Sequence, residues 1–208
     1  RREAFQESGR RVTLYKGVRE WFARINAYGA ARGIRILHYI NSSGLKEIIE
    51  GTEIAHEFRR IYACSFLYDI DGVAYWPAVA VNYTNKTQFI FKINKGVESV
   101  FDSKLVNQYI EEDKRPVPFR RMIYVGDGTT DIPCMRLVKN SGGHSIAVYN
   151  PEIRNARREL NGLIRDNRVS HVCPADYSEG SEMDTLVKTI IDKIEADHRL
   201  ELLETPRT

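Results

Sequence analysis

Three cysteines in 208 residues are too few, and too far apart, to staple a fold. Cys64, Cys134 and Cys173 form neither a CxxC pair nor a Cys/His cluster, so the chain has no zinc-site pattern and no disulfide framework. Read as buried or incidental thiols of a reducing compartment, they give a cytoplasmic expectation. No apolar run approaches the roughly 18 residues of a membrane helix, so no membrane partner is expected. There is no signal-like apolar stretch, and the first residue is Arg1 rather than Met. Net charge of one sign is also scarce. Lys+Arg 31 against Asp+Glu 28 leaves +3, too little to draw nucleic acid by itself, and none is expected as a partner. No internal repeat or low-complexity tract interrupts the chain. Three N-x-[ST] matches, at Asn41, Asn82 and Asn85, carry little weight without a secretory context.

What is present is ordinary for a globular protein: 42% hydrophobic and 28% charged residues. The length suits one domain, or one domain with an appendage. Val18, Trp21, Phe22 and Ile25 fall on one helical face, and Gly29 to Gly33 end that helix. Ile34 to Ile40 reads as an apolar strand entering the loop Asn41-Ser42-Ser43-Gly44, and Leu45 to Phe58 as a helix. Ile61 to Phe66 reads as a strand, with Asp69-Ile70-Asp71-Gly72 as the turn of a hairpin between Ser65–Tyr68 and Val73–Trp76. Residues 85–109 are mostly helical, broken near Gly96. Then come a strand at Met122–Val125, a helix at Ile132–Val138, a strand at His144–Val148, a helix at Ile153–Ile164, a strand at Val169–Val172 and an amphipathic helix from Met183 to Ile194. Alternating strands and helices predict an α/β fold: a doubly wound, mainly parallel sheet with helices on both faces, plus the small hairpin. Ligands of such sheets sit beyond the carboxyl ends of the strands.

Three features stand there. Met122-Ile-Tyr-Val-Gly-Asp-Gly-Thr-Thr-Asp131 is an apolar strand running into glycines and two carboxylates. Asp127 and Asp131 suit a hard octahedral cation such as Mg²⁺; the alternative is an Asp-Gly turn with Asp131 as a helix cap. Ser42 follows an apolar strand, where its hydroxyl and the amides of Ser43 and Gly44 suit a phosphoryl oxygen; the alternative is a cap for the next helix. Lys95, before Gly96, is a cation that suits a phosphoryl group; the alternative is a solvated side chain.

The order Ser after a strand, then Lys-Gly, then strand-GDGxxD, resembles motifs two, three and four of the haloacid dehalogenase superfamily, most closely its phosphoserine-phosphatase-like branch. The resemblance spans most of Tyr15 to Val148. It implies a Mg²⁺-dependent hydrolase of a small phosphorylated metabolite working through an aspartyl-phosphate. Ser42 and Lys95 would be catalytic, Ser42 bonding the transferring phosphoryl group and Lys95 neutralising it. Asp127 and Asp131 would hold Mg²⁺. Ser43, Gly44, Gly128 and Thr130 would touch substrate.

The family's first motif, a strand ending in DxD that supplies the nucleophile, has no counterpart ahead of Ser42, and Arg1 to Tyr15 contains no Asp. The expectation is therefore that the central first strand of the sheet lies outside this chain, in an N-terminal segment that completes the sheet. Residues 1–14 would then end a helical cap, and residues 15–208 would form the core domain. Asp69-Ile70-Asp71 imitates the missing motif but falls after the Ser42 strand, with turn residues around it. The alternative to an enzyme is a non-catalytic chain of the same fold that keeps phosphate or Mg²⁺ binding. A phospho-acceptor signalling domain has its acidic cluster first and its lysine near the end, an order this chain does not follow. Tyr75, Trp76 and Tyr83 are expected to pack near the hairpin.

Overall fold

A computed structural model describes residues 1–102 and 104–204. It is an α/β protein with two separate three-stranded sheets. The helices among the described residues are α1 (Arg2–Gly9), α2 (Val18–Ala30), α3 (Lys46–Glu50), α4 (Lys86–Asn94), α5 (Lys104–Asn107), α6 (Ile132–Asn140), α7 (Ala156–Arg165) and α8 (Glu182–Glu204). The strands are β1 (Tyr39–Leu45), β2 (Arg60–Tyr68), β3 (Ala74–Val79), β4 (Ile123–Gly126), β5 (His144–Tyr149) and β6 (His171–Pro174). No helix among the described residues is long and apolar enough to cross a membrane.

The chain divides into two compact units. The first comprises Arg1–Thr13, Leu37–Phe119 and Gly128–Leu137; the second comprises Leu14–Ile36, Arg120–Asp127 and Val138–Thr208. The chain crosses from the second to the first between Asp127 and Gly128, inside the GDG sequence, and returns within α6.

In the first unit the sheet order is β1-β2-β3, with β1 parallel to β2 and β2 antiparallel to β3. The hairpin forms where turn chemistry demands it. Asp69 Oδ1 accepts the amides of Asp71 (3.0 Å) and Val73 (2.8 Å), and Gly72 takes a φ of 72° that a side chain would resist. Asp69 and Asp71 thus build a turn. The strand expected over Ile34–Ile40 begins later, at Tyr39, because β2 opens with Arg60 opposite Tyr39; just ahead of that pair the Arg59 amide donates to the His38 carbonyl at 2.9 Å. It then runs on through Ser42, Ser43 and Gly44. The helix expected over Leu45–Phe58 is only α3 followed by a 3₁₀ turn at Ala55–Glu57, because Gly51 lets the backbone of α1 approach at Gln6 and ends the helix. Phe89, Ile90 and Ile93 bury one face of α4, and Phe89 stacks on Tyr62 at 5.2 Å. Each such side chain contributes about 1.5–3 kcal/mol. Tyr75, Trp76 and Tyr83 do not pack as expected. They stand 62%, 65% and 61% exposed, the first two on the edge strand β3.

In the second unit β4-β5-β6 is wholly parallel, with Gly126 opposite Ala147 and Ala147 opposite Val172. Their carboxyl ends therefore share one edge. Trp21, Phe22 and Ile25 of α2 and Met183, Val187, Ile190 and Ile191 of α8 make its core with the strands.

Candidate functional site

In the first unit, β1 spends four residue steps from Asn41 to Leu45 while β2 spends two, from Tyr62 to Cys64. Ser42, Ser43 and Gly44 thus face the single residue Ala63, a surplus of two that makes a bulge and turns the strand's end out of the ladder. Ser42 Oγ accepts the Gly44 amide at 3.0 Å, so it shapes the bulge and does not cap α3, whose start has no side-chain cap. Asn41 ties the bulge down: its amide donates to the Lys86 carbonyl at 3.1 Å and approaches Cys134 Sγ at 3.7 Å. Its Oδ1 is buried without a donor among the described residues.

Lys86 is the first residue of α4, and the turn before it is fixed by side chains. Asn82 Oδ1 accepts from the Thr84 amide (2.9 Å) and hydroxyl (2.6 Å), and Asn85 Oδ1 accepts from the Asn82 amide (2.8 Å). The result is a buried ammonium. Lys86 Nζ donates to Asp131 Oδ1 at 2.5 Å, with the two side chains 4% and 10% exposed. Asp131 closes the 3₁₀ turn Thr129–Asp131 ahead of α6, and its Oδ2 receives the Gly128 amide at 3.4 Å. Lys86 makes no other hydrogen bond from its ammonium among the described residues, so two of its three donors are unspent.

Lys95, the lysine expected from sequence, is placed differently. Lys95 caps the other end of α4, half-buried, and spends its ammonium on the carbonyls of Val106 (2.7 Å) and Gln108 (2.6 Å). Lys92 does the same with Ser99 (3.0 Å) and Asp102 (2.6 Å), and burial lowers its pKa. Three lysines on one short helix look alike in sequence; their surroundings separate them. The sequence did hold a hint. The asparagines of all three N-x-[ST] matches, 41, 82 and 85, turn out to frame Lys86. Of the remaining expected positions, Ser43 and Gly44 are exposed in the bulge, Gly128 lies half-buried against Asp131, and Thr130 is half-buried in the turn.

In the second unit, Asp127 follows the last residue of β4 and is exposed. Tyr177, in the loop after β6, lies near enough that the Asp127 charge adds to burial and to Cys173 in raising the pKa of its phenol. Its hydroxyl has no hydrogen-bond partner among the described residues.

The fit to Mg²⁺ differs between the two carboxylates. Asp127 is an open carboxylate at a strand's carboxyl end and suits an ion that keeps most of its water. Asp131 does not fit: one oxygen is committed to a buried ammonium and the other faces a backbone amide. Nor do the described residues contain any group of three or more His, Cys, Asp or Glu side chains able to hold a metal.

No family model matches the chain. It is similar to an uncharacterized protein of Borreliella burgdorferi, 28% identical in an alignment of 226 residues that covers 93% of this chain and 74% of the relative.

Proposed function

We propose that the chain carries the phosphate- and cation-binding groups of a Mg²⁺-dependent phosphohydrolase of the haloacid dehalogenase type, acting on a small phosphorylated metabolite. The observation that carries the reading is Lys86: a buried ammonium, held by one carboxylate, with two donors unspent. A cation desolvated to this degree is costly unless an anion completes its shell. A phosphoryl group supplies both the charge and the acceptor oxygens.

Lys86 takes the part assigned from sequence to Lys95. It stabilises negative charge on the equatorial oxygens of the transferring phosphoryl group, from a dry, fixed position where such a contact has most effect. Asp131 orients the ammonium through their 2.5 Å hydrogen bond; it is a positioning residue. Ser42, with the amides of Ser43 and Gly44, offers donors from the bulge. Asp127 would hold the Mg²⁺, which when bound shields the phosphate's charge from an attacking carboxylate. In that reaction a carboxylate oxygen bonds to phosphorus as the ester P–O bond breaks, and water then releases phosphate. The attacking carboxylate is assigned to none of these 208 residues, so the assay uses the protein expressed from the start of its gene.

The test is phosphate release from p-nitrophenyl phosphate with Mg²⁺ and with EDTA. Metal-dependent turnover lost in Lys86→Gln and in Asp127→Asn is the expected result. Phosphate binding that depends on Lys86 but comes without turnover would favour the non-catalytic alternative. Neither binding nor turnover would end both readings.

A further inference from the structure

The proposed function leaves one polar side chain of the first unit unexplained. Asn41 is the last residue of β1 in register before the bulge, opposite Tyr62, and Ser42 follows it directly. Its carboxamide reaches two further segments. Nδ2 donates to the carbonyl of Lys86, the first residue of α4, at 3.1 Å. The same Nδ2 lies 3.7 Å from Sγ of Cys134, in the first turn of α6. Cys134 comes three residues after Asp131, whose Oδ1 holds the Lys86 ammonium at 2.5 Å. One side chain therefore touches each of the three segments that supply Ser42, Lys86 and Asp131.

The orientation of that amide is set. Turned over, it would bring Oδ1 against the Lys86 carbonyl, acceptor against acceptor. In the orientation observed, Oδ1 is buried with no donor among the described residues. For folding alone this is a poor arrangement. A buried acceptor left unbonded costs at least as much as the single bond from Nδ2 contributes, so an aliphatic side chain of similar size would serve the fold as well. A polar group buried on those terms calls for a role other than stability. The strand behind it is rigid. Tyr62, the ladder partner of Asn41, is 1% exposed, donates its hydroxyl to the Val97 carbonyl at 3.0 Å and stacks on Phe89, one turn beyond Lys86 in α4.

We infer that Asn41 is a positioning residue for Lys86: its Nδ2 pins the main chain of Lys86 to the strand end that carries Ser42, and so fixes where the ammonium stands relative to the bulge. Lys86 opens its helix, so any shift of the main chain there moves the ammonium too. Misplacing a catalytic group by about 1 Å can cost about 10²-fold in rate. Leucine has nearly the volume of asparagine and removes both polar ends of the carboxamide, the bonded one and the unbonded one.

This inference rests on Lys86 acting on phosphate, and the experiment keeps the two apart. Mg²⁺-dependent hydrolysis of p-nitrophenyl phosphate is measured in the protein expressed from the start of its gene. The variants are Asn41→Leu, Lys86→Gln and the two together, each also melted thermally beside wild type. Asn41→Leu is expected to melt within about 2 °C of wild type, because a made and an unmade bond are removed together. Its kcat should fall about 10–10²-fold, with KM within about threefold of wild type. In Lys86→Gln there is no ammonium to place, so adding Asn41→Leu should change the residual rate by less than about twofold. Equal losses in both backgrounds would assign Asn41 to the bulge alone and overturn the inference, and so would wild-type kcat in Asn41→Leu. In either case the Lys86 reading stands as long as Lys86→Gln itself loses activity. If Lys86→Gln hydrolyses as wild type does, or wild type shows no turnover, both fall. If Asn41→Leu melts markedly lower, the cycle is repeated with Asn41→Ser, too short to keep the contact, and additive losses there count against the inference in the same way.

Discussion

Each unit buries a carboxylate at the start of a helix and sets a lysine beside it, and the two arrangements are finished differently. In the second unit Asp184, in the first turn of α8 and 2% exposed at its side chain, is saturated. Arg24 Nε donates at 3.0 Å, Lys188 Nζ at 2.8 Å and the Gly180 amide at 2.9 Å. Burial alone would raise its pKa, but these donors outweigh it and hold the group below the usual carboxylate range. Lys139 of the same unit gives its ammonium to Asn167 O (3.3 Å), Asn167 Oδ1 (2.5 Å) and Val169 O (3.0 Å). In the first unit Lys86 is at least as buried and makes one bond. The difference teaches that burial of charge alone does not single out a candidate; Lys86 is proposed because a buried charge there keeps unspent hydrogen-bonding capacity.

The largest way to break this comparison is to remove the saturated carboxylate. Asp184→Ala leaves Arg24 and Lys188 facing each other with no counterion, and a loss of about 3–5 kcal/mol of stability is expected, read from urea midpoints. Phosphate binding should be untouched in whatever fraction folds. A mild effect on stability would mean that Asp184 is not the keystone its bonds suggest.

Lys86→Gln should do the reverse. Its main effect falls on phosphate: hydrolysis should drop about 10²–10³-fold, equivalent to about 2.7–4 kcal/mol in the transition state. Lys139→Met serves as its partner in the second unit. It should lose about 1.5–3 kcal/mol of stability, typical for hydrogen bonds to a charged group, with phosphate affinity unchanged. Equal effects of both lysines on phosphate would erase the distinction between saturated and unsaturated charge.

Acid sharpens the contrast on a different axis. His144 and His171 open β5 and β6 in the second unit, and His38 lies ahead of β1 in the first. Burial is the main cause lowering each of their pKa values; Lys193 and then His171 add to the effect at His144, and Lys139 at His171. A lowered folded-state pKa means that the unfolded chain binds the extra proton first. The stability these residues contribute is therefore full above the unfolded value of about 6.5 and is lost as pH falls through the folded values. Urea midpoints should decline between pH 7 and pH 5, and the double variant His144→Asn/His171→Asn should flatten the decline more than His38→Asn does. A midpoint that rises on acidification would contradict the burial account.

Legibility followed locality. The Met122–Asp131 segment, the Asp69–Gly72 turn and α8 were readable because a contiguous pattern dictates each: an apolar run meeting glycine, an Asx turn, a stripe at helical spacing. β1 was misplaced by several residues because its limits are set by where β2 offers hydrogen bonds and by a bulge that no periodicity shows. Tyr75 and Trp76 looked like core residues from their chemistry; whether either face of an edge strand is covered is a tertiary fact. Sequence singled out Lys95 alone, and what separates it from Lys86 and Lys92 is of the same tertiary kind. The three differ in which acceptors surround the ammonium, and those acceptors come from residues 99–108 for two of them and from Asp131, 45 positions away, for the third.

Lys95 supplies the smallest and most discriminating prediction. Its ammonium bonds two backbone carbonyls of the segment just beyond it, so its removal should loosen residues 106–108 and little else. Lys95→Met is expected to lose about 1 kcal/mol of stability. It should speed amide exchange in the segment around Val106 and Gln108 and leave phosphate affinity and hydrolysis within about twofold of wild type. A lysine that worked on phosphate would instead lose activity as Lys86→Gln does, with local exchange unchanged. The pair of variants therefore decides which end of α4 faces the chemistry, because both lysines sit on one short helix and only the acceptors around them differ.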